Sequence, residues 1–457
     1  MTKEIMHLSP MLFASSSKIL IRKYIFALIP AVLTITFLST NSHAETVTLH
    51  ECLIEAISHN TMLKEGDLSI MAGEEEIAAA SGRHLPKITL DSNYTKRQEP
   101  LAFIPAKSTS IPPHFSDEFV SWQAVMTVPV YQGGQIENGV KLADIRQTVR
   151  TDTLNMTRNE VIANTVNTYN KLLQLKKLQE SSKASVDALE EQRKNVSLLY
   201  DLGRVPKVDL LKVEVQLANE TQRLATINEG ISASRETLAF LMGRKIISVE
   251  SGLEPVDELS FTNIYCNFEQ GLIEAREHRP EYLIALQGIK EADLNVKSSI
   301  GKLLPTVSAL GGYLNQYGFE PKYSESTWFV GINISIPLFD RSIHADVSRD
   351  RILKNKALTR LEGMENQIRL DIRNAITSLT ESKIRVETSC AAVLQAEESY
   401  RIENEKYSTG AGAMVDLLFA HAANFTAAAN HTQALFDYNA AVTAYRRATG
   451  SLEDYLK

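Results

Sequence analysis

A chain of 457 residues with 44 % hydrophobic and 23 % charged residues carries enough apolar surface to fold, which excludes general disorder. Only 21 glycines and 14 prolines interrupt it, and three cysteines provide no disulfide framework. The formal net charge of -7 argues against a partner bound through phosphate neutralisation, so nucleic acid is not an expected ligand.

The first 44 residues read as an export signal. Lys18, Arg22 and Lys23 precede an apolar run over 25–38, and Ser42-His43-Ala44 then supplies small residues at the two positions a signal peptidase reads. About 14 apolar residues containing Pro30 fall short of the roughly 20 that a spanning helix needs. Cleavage after Ala44 removes a net +3 and leaves a mature chain of -10. No later stretch is long and apolar enough to span a bilayer as a helix, so a membrane crossing would have to use strands.

The mature chain is written twice. Tyr200, Gly203, Val208, Asp209, Leu210 and Leu211 recur 207 residues later as Tyr407, Gly410, Val415, Asp416, Leu417 and Leu418, and Gly243 recurs as Gly450. Glu55-Ala56 and Leu85-Pro86 recur 219 later as Glu274-Ala275 and Leu304-Pro305, so the first copy has the longer loop. The division expected is a first repeat over 45–246, a linker over 247–266 and a second repeat over 267–457. Each repeat reads as a helix, a strand hairpin, a very long helix, a glycine turn and a returning helix.

Taken in chain order, the first hairpin follows a strand around 88–94 and a proline-containing loop over 99–118. Val120, Trp122, Ala124, Met126, Val128 and Val130 then alternate with Ser121, Gln123, Val125 and Thr127. The stretch Gln135 to Asp201 holds one glycine and no proline, so it predicts a helix about 100 Å long. Within it Ile162, Val166, Tyr169 and Leu173 step like a coiled-coil seam that needs a partner helix. The returning helix is amphipathic but less regular, with Val208, Leu211 and Val215 in step. The second hairpin has a strand around 307–317, a loop over 318–326, and Trp328, Val330, Ile332, Ile334, Ile336 and Leu338 alternating with Phe329, Gly331, Asn333 and Ser335. A second long helix covers 343–409.

About ten alternating residues suit a tilted transmembrane strand, and Trp122 and Trp328 fall on the apolar face where interfacial anchors sit. A half-buried sheet in a soluble domain is the other reading of the same alternation. Four strands cannot close a barrel, and open edges in lipid leave backbone groups unsatisfied. Two copies would give eight strands with a filled interior, whereas three give twelve and a lumen.

On these residues the chain resembles the TolC-like outer membrane efflux proteins over nearly all of its mature length. The duplication carries the resemblance, with Pro129-Val130-Tyr131-Gln132-Gly133-Gly134 and Pro337-Leu338-Phe339-Asp340 similar to the family's strand-to-helix junction P-L-F-D-G-G. Arg341-Ser342 replaces the glycines of the second junction. The resemblance implies a mainly α fold with β: a homotrimer joining a 12-stranded transmembrane β-barrel, four strands per chain, to a long periplasmic α-helical barrel. It implies an exit duct of a tripartite efflux or type I secretion system in the outer membrane lipid, opened at its periplasmic tip by an adaptor joined to an inner-membrane transporter. No enzyme activity and no cofactor go with it.

By the same resemblance Asp416 lines the pore constriction, with Phe419 one turn on in place of a second acidic ring. Tyr407 and Asp209 match a tip tether. Gly203, Val205, Leu210, Leu211, Gly410, Leu417 and Leu418 form the tip turns and border the adaptor groove. The plainer reading is that Gly203 and Gly410 are helix C-caps, Pro206 begins a helix, and Asp209 and Asp416 favour helix dipoles.

Catalytic motifs fail at the residues that matter. His50-Glu51 begins a zinc-protease pattern with Ile54 where the second histidine belongs, and the phosphate-loop spacing from Gly134 to Gly139 is followed by Val140 instead of lysine. Cys52, Cys266 and Cys390 are expected as free thiols, with a Cys52–Cys266 bridge the alternative, and Glu74-Glu75-Glu76 as a solvated helix face. The competing functions are a periplasmic adaptor, which would carry one helical hairpin flanked by glycine-rich β-domains, and a coiled-coil scaffold, which leaves the amphipathic strands without a purpose.

Overall fold

The computed structural model describes residues 45–106, 111–245 and 252–457; the export segment and its cleavage site lie outside them. The first repeat runs β1 (Glu45–Val47), α1 (Leu49–His59), α2 (Thr61–Gly82), β2 (Lys87–Ile104), β3 (His114–Gln132), α3 (Gln135–Asp201) and α4 (Lys207–Leu241). After β4 (Leu253–Pro255) the second runs α5 (Phe268–His278), α6 (Pro280–Gly301), β5 (Thr306–Gly318), β6 (Tyr323–Ser335), α7 (Arg341–Ser408) and α8 (Met414–Thr449), and a 3₁₀ turn over Leu452–Leu456 follows.

The opening helix of each repeat is two helices. Asn60 leaves the helical region (ψ 132°), and its side-chain oxygen accepts from the Met62 N–H to start α2. In the second repeat Arg279 (ψ 117°) precedes Pro280, which cannot continue α5 and begins α6 at N1.

The strand hairpins pair into one antiparallel sheet in the order β2-β3-β5-β6. The first hairpin is longer than expected: after an irregular stretch between Lys96 and Leu101 the ladder resumes with Leu101↔Ser116, Ala102↔Phe115 and Ile104↔His114, inside the segment read as a loop. A small core of Phe103, Ile104 and Phe119, with Tyr323 against it, supplies the side-chain packing that proline content obscured. The second hairpin likewise pairs up to Gly318↔Tyr323, shortening its loop.

Helices α3 and α7 run 67 and 68 residues, about 100 Å each. The seam read in α3 is real: Ile162 and Val166 pack with Leu53 and Leu452, and Tyr169 and Leu173 with Ile227, Ile231 and Leu238. In α4 the packed row is instead Val213, Glu220, Ile227, Ile231 and Leu238. Val208, Leu211 and Val215 are 51, 47 and 62 % exposed, because the α3–α4 turn rotates that row away from α3. Around the middle of the chain β4 pairs in parallel with β1, Glu45↔Leu253, so the linker is partly a strand.

Candidate functional site

The distal turns of the two helical hairpins are built alike. Gly203 (φ +68°) and Gly410 (φ +79°) take the left-handed conformation after α3 and α7. Arg204 N–H returns to Leu199 O at 2.8 Å, and Ala411 N–H to Lys406 O at 2.9 Å, closing each helix with a Schellman-type bond. Pro206 and Ala413 occupy matching extended positions before α4 and α8, which places Asp209 and Asp416 in the first turns of the returning helices.

Between the hairpins lies a compact apolar core of Val196, Val213, Met414 and Leu417, bordered by Val205, Leu210, Tyr400, Tyr407 and Leu418. Leu417 is 3 % exposed. It therefore cannot border a groove, because its face of α8 is the one turned to α3. Leu210 and Leu418 are half-buried and Leu211 is exposed. Asp416 and, three residues on, Phe419 both project outward, Phe419 being 76 % exposed. Tyr407 has a buried hydroxyl with no hydrogen-bond partner among the described residues. Burial first and the nearby Asp209 carboxylate second push its ionisation up, while Asp209 itself meets Lys212 Nζ at 3.4 Å.

Above this core sits a polar layer that the sequence did not announce. His421 is buried, its Nε2 3.4 Å from Ser185 Oγ and its ring edge-on to Tyr400 at 5.3 Å. Burial alone depresses its pKa. Glu220, 1 % exposed, has its pKa raised by burial against the opposing pull of Arg223, whose guanidinium lies 4.5 Å above the Phe425 ring. Single histidines and glutamates inside alanine-rich amphipathic helices give no sequence signal of this kind.

At the other end the sheet has two unlike faces. Ile88, Leu90 and Tyr94 on β2 share a face with Trp122 and Met126 on β3, Tyr313 on β5, and Trp328, Val330, Ile332 and Ile334 on β6. Trp328, Val330, Ile332 and Ile334 are 61–79 % exposed, and Trp122 is 37 % exposed. Trp122 packs on Tyr313 with ring centroids 5.5 Å apart, and Trp328 stands directly opposite the same tyrosine. The reverse face carries Thr89, Asp91, Asn93, Ser121, Gln123, Thr127, Gln316, Asn333 and Ser335. The outer edges of β2 and β6 pair with no strand among the described residues.

The strand-to-helix junctions differ. In the first, Gly133 (φ +64°) and Gly134 (φ +75°) turn the chain, and a side chain on Gly133 would overlap the Gly301 carbonyl. In the second, Asp340 caps α7 by accepting from Ser342 N–H at 2.8 Å, and no left-handed residue is needed.

The cysteines are free. Cys52 lies in the core around Tyr169, its thiol pushed up to about 12 by burial, whereas Cys266 borders the core around Tyr438, so the alternative bridge is not formed. No group of metal-binding side chains occurs among the described residues.

The sequence matches the outer membrane efflux protein family over residues 53–244 and again over 272–451. The chain belongs to the outer membrane efflux protein family. The double match coincides with the internal repeat, and the family is one of passive outer membrane channels, not enzymes. No curated protein matches the chain in sequence. Its fold is similar to the Campylobacter jejuni CmeC outer membrane channel (TM-score 0.77, 16 % identity, 88 % of this chain and 85 % of that one). It is also similar to the outer membrane protein VceC from Vibrio cholerae (0.74, 18 %, 88 % and 96 %) and to the open state of the Neisseria gonorrhoeae MtrE outer membrane channel (0.70, 15 %, 88 % and 89 %).

Proposed function

We propose that three copies of this chain form the outer membrane duct of a tripartite efflux or type I secretion system, opened at its periplasmic tip by an adaptor that an inner-membrane transporter engages. The observation that carries this reading is the four-stranded sheet with an exposed apolar face and two unpaired edges. In lipid each unpaired backbone group costs several kcal/mol, so the edges must be joined by other copies. Three copies give twelve strands and a polar lumen lined by the reverse face.

The apolar row of β6 from Trp328 to Ile334 spans six residue steps, about 20 Å along the strand, and Ile336 and Leu338 carry apolar residues on beyond the end of β6 at Ser335. Trp122 and Trp328 open the apolar rows of their strands, the place of interfacial anchors. The tip turns at Gly203 and Gly410, with Val205, Leu210 and Leu418 beside them, are the surface offered to the adaptor. Tyr407 and Asp209, close but not bonded within one chain, are the tether that sets the closed state. Three Asp416 carboxylates around the axis form the constriction and favour cations, with the Phe419 side chains beside them.

The test is the native mass and membrane fraction of the untagged mature protein after detergent extraction, then conductance in planar bilayers. A trimer from the outer membrane fraction is expected; a soluble monomer overturns the reading and favours a scaffold. For Asp416→Asn the cation-to-anion permeability ratio should fall by roughly twofold or more, as expected for loss of a charged ring. An unchanged reversal potential would remove Asp416 from the constriction.

A further inference from the structure

The first strand hairpin is longer than the second, and its extra length turns over the sheet instead of continuing it. Strands β5 and β6 stop pairing at Gly318↔Tyr323, whereas β2 and β3 pair on through Leu101↔Ser116 and Ala102↔Phe115 to Ile104↔His114. Between Lys96↔Glu118 and Leu101↔Ser116 the four residues 97–100 stand opposite Asp117 alone. Surplus residues on one strand of a pair bend the ribbon, and the contacts beyond the bend show where it goes.

Thr95, Phe119, Gly318 and Tyr323 lie side by side across the four strands, through the pairs Thr95↔Phe119, Phe119↔Gly318 and Gly318↔Tyr323. Their parity is that of Ser121, Gln123, Gln316 and Asn333, so they form the last row of the polar face. A glycine between two aromatic side chains leaves a notch, and the Phe103 ring fills it: a Cβ on Gly318 would lie 2.6 Å from Phe103 Cζ. Phe103 stacks on Phe119 with ring centroids 5.5 Å apart, and both are buried together with Ile104. His114 reaches past β5 to stack on Tyr323 of β6 at 3.6 Å. The hydroxyl of buried Ser116 lies 2.7 Å from Glu118 O and 3.1 Å from Glu320 O, the latter in the turn between β5 and β6.

We propose that residues 101–104 and 114–116 are a cover folded into the outer mouth of the duct and held by Phe103 in the Gly318 notch, so that large molecules leave only when it is displaced. The proposal rests on the duct reading, which makes the polar face the lumen and the hairpin ends the outer mouth. A ribbon bent onto the apolar face would lie in lipid; bent onto the polar face, it takes up room in the passage. The unequal length of the two hairpins then has a use, since the long one supplies the cover and the short one supplies the notch. The hold is local and largely apolar, a ring in a notch, a ring stack and one hydroxyl. Single substitutions can therefore release it without touching the ladder from Lys87 to Lys96 that builds the wall.

The experiment uses the full-length protein with exposed Cys390 replaced by serine and with Gln123→Cys as reporter, because Gln123 is exposed on the polar face two rows deeper than Phe119. Intact cells are treated with a small membrane-impermeant maleimide or with a maleimide carried on a long polyethylene glycol chain. The small reagent should label Gln123→Cys and the large one should not. Gly318→Val puts a side chain in the notch and expels the Phe103 ring, and Gly318 is not among the left-handed glycines, so its backbone accepts valine. Phe103→Ala removes the ring itself and keeps the test readable if valine disturbs assembly, which native mass checks. Each substitution should raise labelling by the large reagent roughly fivefold or more and leave the small reagent's labelling unchanged, as a shift from covered to uncovered mouths requires. Equal labelling by the large reagent in parent and variants, or equal exclusion from all of them, overturns the cover and leaves the duct intact. Ala124→Cys, on the apolar face, should stay unlabelled. A small reagent that fails to reach Gln123→Cys, whether or not it reaches Ala124→Cys, overturns the duct reading itself.

Discussion

At the scale of single residues the duplication is a repeated steric solution. Gly243 (φ +73°) lies against the His59 carbonyl and Asn60 N–H, and Gly450 (φ +81°) against His278 and Arg279, so the end of each returning helix docks on the break between the paired opening helices. Asn60 ties this together: its Oδ1 caps α2, and its Nδ2 donates to Leu241 O at 2.8 Å. Gly243→Ala should lower the thermal midpoint by several degrees, since it combines the roughly 1–2 kcal/mol left-handed penalty with overlap on backbone that cannot move aside. Gly203→Ala, with nothing within 4 Å, should show only the backbone penalty, so the two midpoints measured side by side separate the effects. Equal losses would mean that docking at Gly243 is not tight.

At the scale of elements, local chemistry decides where helices start and packing decides which face is inside. The α7 junction dispenses with glycine because Asp340 holds its first turn through Ser342 N–H and Oγ. Asp340→Ala should cost about 1 kcal/mol, read as a lowered denaturation midpoint, whereas Asp340→Asn should retain most of the cap. A loss equal in both variants would show that charge, not the cap bond, holds the turn. The α3 seam was legible because apolar residues repeated at steps of three and four without interruption. The α4 face was not, because its buried row contains Glu220, while the exposed Val208, Leu211 and Val215 present the more obvious apolar pattern. Periodicity marks an amphipathic face; it does not say which of two apolar rows meets the partner.

At the scale of the whole molecule the distal end of the helices depends on two hairpins packed across a layer containing His421. Burial holds its imidazole below the ordinary value near 6.5, so the packed state takes up the proton less readily than an opened one. The packing is therefore fully stable above about pH 6.5 and weakens as pH falls from there towards the depressed value. Glu220, raised by burial, acts in the opposite sense, its contribution being lost as pH rises. Limited proteolysis of the hairpin ends should be faster at pH 5.5 than at pH 7.5, and His421→Gln should flatten the difference. A pH response that survives the substitution would assign it to other groups.

The sequence alone determined the internal repeat, the two helices of about 100 Å and the alternation of both hairpins, because each is a local pattern of turns, caps and periods. The position of Asp416 and the glycine turns followed from the same repeat. Tertiary structure decided that Leu417 is core and Leu211 surface, that the first hairpin pairs on past Leu101, and that β1 meets β4 from the far side of the first repeat. It also brought His421 to Ser185. These depend on contacts between residues far apart in the chain, where each side chain's environment is set by a partner that its own neighbourhood does not encode.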